Sequence, residues 1–142
     1  LTRKRNPWYA VEKRKVSNIW VSVFGRSGLK FIWNKSNCLN LTCFHAFYPT
    51  MFGQEYLDIL FLYLNTNFAK KLLNREKREY GNGLEKFEPN DINKAMVFNL
   101  DLLTNESHGR LAKMQETFLI SSPEKRHEVL KEAEQIFNKL SQ

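Results

Sequence analysis

The sequence predicts an α+β fold in which an N-terminal antiparallel β-rich module packs on a C-terminal helical part. Three observations carry this prediction. Before residue 50, large apolar and aromatic residues recur at strand period and turn residues follow them closely. After residue 54 the apolar period becomes helical. Capping residues then mark the start of several later helices. A length of 142 residues, with 42% hydrophobic side chains, suits a single domain with a real core. Within it, residues 1–50 form the β-rich part and residues 51–142 the helical part.

The first strand is expected at Trp8-Tyr9-Ala10-Val11, after Pro7. Ile19 to Phe24 is rich in β-branched and aromatic residues and reads as the second strand. Gly25-Arg26-Ser27-Gly28 supplies a four-residue turn into Leu29-Lys30-Phe31-Ile32-Trp33, which together read as a hairpin. Trp20, Phe24, Phe31 and Trp33 are expected in the core, and Tyr9, Tyr48 and Tyr80 at an interface. A further strand is read at Leu39 to Phe44, stopping before Tyr48-Pro49. From Gln54, the residues Tyr56, Leu57, Leu60, Phe61 and Leu64 share one helical face. Ile59, Leu62 and Tyr63 widen that face, so this helix should be core over most of its girth, with no direct role in binding.

Asn65-Thr66-Asn67 is a cap signal for a second, more charged helical stretch that Tyr80-Gly81-Asn82-Gly83 breaks. Leu84 to Glu88 reads as extended, and Pro89-Asn90-Asp91-Ile92 as a brief helical turn. Two helices complete the reading, Asn105 to Phe118 and Pro123 to Leu140, the second capped by Ser122.

Charge is distributed unevenly. The first 50 residues hold nine Lys and Arg and one acidic residue, Glu12, while the remainder of the formal +7 chain is nearly neutral. Such a front end suggests a polyanion partner, with nucleic acid the leading candidate. Arg3, Lys4, Arg5, Lys13, Arg14, Lys15, Arg26, Lys30 and Lys35 flank or interrupt strands and turns. Each can neutralise a phosphate, and Arg26 on a turn can also reach a guanine edge. Ser27 shares that turn. Arg75, Lys77, Arg78 and Asn82, near the second Gly turn, would add another edge to a cleft.

Other chemistry finds little support. Asn6-Pro7-Trp8-Tyr9 is close to the Asn-Pro-Pro-Tyr motif of amino-methyltransferases, but Trp8 replaces the second proline and no Gly-rich cofactor turn lies upstream. Cys38, Cys43 and His45 lack the paired spacing of structural zinc sites, so the cysteines are expected to be small buried strand residues. Gly-Arg-Ser-Gly lacks the spacing of a serine nucleophile elbow. No secretory signal or membrane-spanning run is seen, and two cysteines do not make a disulfide framework. A cytoplasmic location without membrane association is the expectation.

Several local patterns, taken in order, carry a resemblance. They are Asn6-Pro7-Trp8-Tyr9, Phe47-Tyr48-Pro49 before an apolar helix ending in Leu64-Asn65-Thr66-Asn67, and the stretch from Tyr80-Gly81-Asn82-Gly83 to Pro89-Asn90-Asp91-Ile92. Over roughly residues 6 to 98 this order resembles the C-terminal half of adenine-N6 DNA methyltransferases of restriction-modification systems. The resemblance implies a target-recognition domain that grips double-stranded DNA. It also implies a separate N-terminal domain of the same parent chain that binds S-adenosylmethionine and carries the catalytic motif. This chain, which opens on Leu1, is then expected to be a C-terminal fragment with no cofactor and no activity of its own. The alternatives are an RNA-binding accessory domain and a helical protein-interaction module built on Pro123 to Leu140.

Overall fold

The computed structural model describes residues 6–7, 14–26 and 28–141. The strand expected at Trp8 to Val11 lies outside them. The order of elements is β1 (Ile19–Ser22), β2 (Phe24–Gly25), β3 (Phe31–Trp33), β4 (Phe44–Phe47), α1 (Leu57–Asn65) and α2 (Asn67–Leu73). There follow β5 (Arg78–Tyr80), β6 (Leu84–Lys86), α3 (Pro89–Lys94), α4 (Asn105–Ile120) and α5 (Pro123–Leu140). Among the described residues, two three-stranded antiparallel sheets, ordered β3-β1-β4 and β2-β6-β5, precede or interleave with the helices, as an α+β fold requires.

The expected Ile19–Phe24 strand is divided between the two sheets. Ile19, Trp20 and Val21 pair with Trp33, Ile32 and Phe31, whereas Phe24 and Gly25 pair with Lys86 and Glu85. Val23 is the junction. Its N–H donates to the Cys43 carbonyl (3.1 Å) and its own carbonyl accepts from the Phe87 N–H (3.0 Å). A continuous chain therefore serves both sheets without leaving its buried peptide groups unpaired.

The phase of this strand differs from the expectation. Ile19 and Val21 face the core, so Trp20 lies on the opposite face, where it is only partly buried beside the Phe44 ring (6.1 Å). Phe24, also expected in the core, is 49% exposed, with the Lys86 ammonium over its ring. β-branched Ile19 and Val21 fit the tightly packed side, and bulk alone misassigned the face. Phe31 is buried as expected, and Trp33 packs partly buried against Phe61 (5.1 Å).

A second correction concerns Leu39 to Phe44, which is not a strand until Phe44. The residue that turns inward there is Asn40, whose Nδ2 donates to the Phe44 carbonyl (2.7 Å), while Leu39 and Leu41 are exposed. The side chain of Asn40 thus satisfies backbone that a preceding ladder would have served. Cys38 and Cys43 lie in this loop, exposed and free rather than buried.

The helical part follows its capping signals closely. Thr66 accepts from the Ala69 N–H at the start of α2, Thr104 from Ser107 at α4, and Ser122 from Lys125 at α5, where Pro123 occupies the first turn. The second helical stretch ends at Leu73, and the charged residues after it form a short turn (Asn74–Glu76) and then β5. α1 is buried on nearly every face, from Leu57 to Leu64, because α4 and α5 cover it on one side and β3 on another. Tyr63, Phe98 and Phe137 form an aromatic cluster, with Tyr63 5.1 Å from Phe137 and Phe98 5.3 Å from it. The Phe98 N–H donates to the Tyr63 hydroxyl (3.1 Å), which gives the buried phenol a partner. Arg126 caps the end of α4, donating to the Phe118 and Leu119 carbonyls.

The apolar face of α5 (Val129, Ala133, Phe137) is filled from within the chain. Among the described residues no helix is long and apolar enough to cross a membrane. Replacing Phe137, fully buried between α1 and the Phe98 segment, is expected to cost most: Phe137→Ala should destabilise the chain by about 3–5 kcal/mol. Urea unfolding followed by circular dichroism measures this, and a loss below about 1 kcal/mol would mean that the cluster is not the core.

Candidate nucleic-acid interface

The turn after β2 is built on glycine for steric reasons. A Cβ on Gly25 would sit 2.4 Å from the Gly28 carbonyl oxygen, and Gly28 itself has φ +86°. The Gly28 N–H donates to Glu85 Oε2 (2.9 Å), and Oε1 of the same carboxylate accepts from Lys77 Nζ (3.0 Å). Glu85 therefore clamps the Gly25–Gly28 turn to the β5–β6 hairpin. The Asn74 side-chain oxygen lies closest to the open side of Gly28, which brings the Asn74–Glu76 turn to the same place. Lys30 is fixed through its backbone, its N–H donating to Ser22 Oγ and its carbonyl accepting from the Ser22 N–H, both at 3.0 Å.

Three exposed cations, Arg26 in the turn, Lys30 two residues after it and Arg75 next to Asn74, belong to the segments that meet at this clamped turn, and none forms an ion pair among the described residues. Positions about 50 residues apart in sequence have become neighbours through the pairing of β2 with β6. Across the hairpin, Asn82 adopts the left-handed region (φ 65°, ψ 31°) and Gly83 follows at φ +69°. Both conformations suit these residue types in a tight turn.

The other basic residues here are engaged. Lys77 meets Glu79 (2.8 Å) as well as Glu85, and those two carboxylates, Glu79 first, hold its ammonium above the ordinary lysine range. Arg78 meets Asp91 (2.8 Å) and Lys86 meets Glu88. The Arg78 guanidinium, followed by the Glu88 N–H, keeps Asp91 below the usual carboxylate range, and Lys86 does the same for Glu88. Lys77 and Arg78, expected to bind DNA, are therefore tied into the frame of the hairpin.

A second basic region lies beside β4. An open groove of about 760 Å³ is lined by Arg14, Lys15, Asn40, Phe44, His45, Tyr48 and their neighbours. The Tyr48 hydroxyl, half exposed, donates to the Lys15 carbonyl (2.6 Å) and holds that segment against the strand. His45 Nε2 lies 3.2 Å from the Phe87 carbonyl, which can only accept, so Nε2 carries the proton. Lys35 stands apart, exposed on the β3–β4 loop. Arg3, Lys4, Arg5, Lys13 and Ser27 lie outside the described residues, as does Tyr9.

The expected site residues therefore fall into two groups. Arg26 follows β2 and Asn82 caps the β5–β6 hairpin at one end of the second sheet, Lys77 and Arg78 stand at the start of β5 at its other end, Lys30 and Arg75 lie on the segments next to the Gly25–Gly28 turn, and Arg14 and Lys15 line the groove. Glu85, which ties the Gly28 backbone to Lys77, was not expected. Nothing in the sequence spacing distinguishes Glu85 from Glu79 or Glu88, and only strand register reveals its role. Among the described residues no three His, Cys, Asp or Glu side chains are grouped to hold a metal.

The fold and surface define an α+β domain with a basic sheet end and a basic groove. Residues 2–137 match the family described as the C-terminal domain of Type II methyltransferase M.Eco57I, and the chain belongs to that family. It is 44% identical over 120 residues to the Type II methyltransferase M.AccI of Acinetobacter calcoaceticus. That match covers 83% of this chain but 22% of the relative, so the chain spans about a fifth of the relative's length. No solved structure matches. The resemblance drawn from the motifs between Asn6 and Ile92 is borne out at the level of the family, the C-terminal domain of Type II restriction-modification methyltransferases.

Two outcomes follow from the geometry. Gly25→Ala forces the new methyl against backbone and should cost about 1–3 kcal/mol in urea unfolding, where a neutral result would contradict the turn geometry. Glu79, Glu88 and Asp91 all have depressed pKa values, so their stabilisation is complete above the ordinary carboxylate range and is lost as pH falls through the folded values. Thermal melts between pH 7 and pH 3 should show a larger drop for the wild type than for Asp91→Asn. Equal drops would show that the Arg78–Asp91 pair adds nothing.

Proposed function

We propose that this domain binds double-stranded DNA sequence-specifically, as the target-recognition part of a site-specific adenine-N6 methyltransferase. Catalysis and S-adenosylmethionine binding belong to another domain of the same enzyme. The observation that carries this reading is the group of Arg26, Lys30 and Arg75 around the turn that Glu85 clamps, exposed while neighbouring cations are neutralised in ion pairs. Exposed cations on a fixed frame can grip phosphates without first breaking internal pairs. Arg14 and Lys15 in the groove supply a second set of phosphate contacts.

In this account the domain provides register and discrimination, and the catalytic domain receives the adenine after it leaves the base stack. The buried α5 face disfavours the alternative in which that helix waits for a protein partner.

Fluorescence anisotropy with duplex DNA and with structured RNA at matched salt makes the comparison. Duplex DNA is expected to bind more tightly. With about four phosphate contacts, from Lys30, Arg75, Arg14 and Lys15, its affinity should fall roughly 10²-fold between 50 and 200 mM salt. The double variant Lys30→Ala/Arg75→Ala should lower the slope of log affinity against log salt by about 2. Equal or tighter RNA binding, or affinity indifferent to salt, would refute the reading.

A further inference from the structure

We propose that Arg26 and Asn82 are the base-reading residues of this domain, presented together at one end of the β2-β6-β5 sheet for entry into the DNA major groove. This rests on the DNA-recognition reading above and specifies which side chains discriminate.

The register supplies the juxtaposition. Gly25 lies opposite Glu85, and Tyr80 lies opposite Leu84 across the β5–β6 hairpin. The β2–β6 ladder ends at Gly25 and Glu85, one residue from Leu84, so β2 leaves the sheet into Arg26 at the end where the hairpin turn carries Asn82. Adjacent strands are about 4.8 Å apart, so the two turns leave the sheet at the same end and within reach of neighbouring base pairs. A groove about 12 Å wide admits a two-stranded ribbon.

The frame behind these side chains is fixed. Gly28's backbone closes the first turn against Gly25, and the Glu85 carboxylate holds it through the Gly28 N–H. Asn82 and Gly83 set the second turn with two consecutive left-handed residues. Lys77, with Glu79 and Glu85, stiffens the hairpin between them. Recognition needs such support, because a reading side chain on a mobile backbone loses discrimination.

The chemistry distinguishes these two from their neighbours. An arginine fork pairs with O6 and N7 of guanine, and an asparagine amide pairs with N6 and N7 of adenine. Arg26 makes no ion pair among the described residues, and the Asn82 side chain is exposed and donates to none of them. Lys30 and Arg75 flank the turn as phosphate contacts. Arg78 is committed to Asp91, and Lys86 to Glu88.

The test is selection from a randomised duplex pool with the full 142-residue chain, repeated with Arg26→Ala and with Asn82→Gly. The glycine variant keeps the left-handed backbone while removing the amide. Relaxation of a G·C position is expected for Arg26→Ala, and of an A·T position for Asn82→Gly. Each should reduce the ratio of preferred to scrambled duplex affinity by about 10- to 100-fold. In contrast, Lys30→Ala/Arg75→Ala should weaken both duplexes alike and return the wild-type preference. Thermal melts confirm that each variant folds. An unchanged preference in both variants would overturn this assignment and leave the DNA-recognition reading standing. A wild-type pool that yields no preferred sequence would overturn that reading as well.

Discussion

The peptide groups of Val23 hold the two sheets in one frame. Its N–H reaches β4 through Cys43, and its carbonyl takes the N–H of Phe87, just after β6. Val23 is buried, so breaking either bond would leave a polar group unsatisfied away from water. The strand has no freedom to slide past this point. A shift by one residue would turn Ile19 and Val21 out of the core and carry the Gly25–Gly28 turn away from Glu85. The position of every basic side chain at the sheet end depends on this constraint.

Two kinds of stabilisation are kept apart in space. The helices bury the Tyr63, Phe98 and Phe137 cluster and fill α5 from within. The second sheet is instead edged with charges, most of them in carboxylate pairs at its surface. Exposed pairs of this sort add little stability individually. Their contribution is geometric, because they hold the hairpin and its turns in one arrangement while a few cations stay available. The groove beside β4 repeats the pattern, with Tyr48 and His45 fixing its wall through backbone carbonyls.

Much of the helical part was legible in the sequence because its signals are local. Thr66, Ser122 and Pro123 stand where helix starts demand them, and the crowded apolar face of α1 announced a buried helix. The β part was less legible. Trp20 and Phe24 suggested a core face by size, but Ile19 and Val21 occupy it. Leu39 and Leu41 imitated a strand that Asn40 replaces with a side-chain cap. A strand that changes sheets midway has no sequence signature, since both halves carry the same alternation. The basic residues were visible one by one, whereas their gathering around Glu85 needs a register between positions about 60 apart. The family resemblance was carried by motifs short enough to see, and the family match agrees with it.

The central claim is that DNA meets the end of the β2-β6-β5 sheet and the neighbouring groove, while the helical core stands behind them. Amide hydrogen exchange of the chain, with and without a duplex of its preferred sequence, tests this most directly. The account predicts added protection in residues 24–30 and 78–86 and beside β4, with α4 and α5 unchanged. Protection concentrated on α4 and α5, with the two turns unaffected, would contradict it.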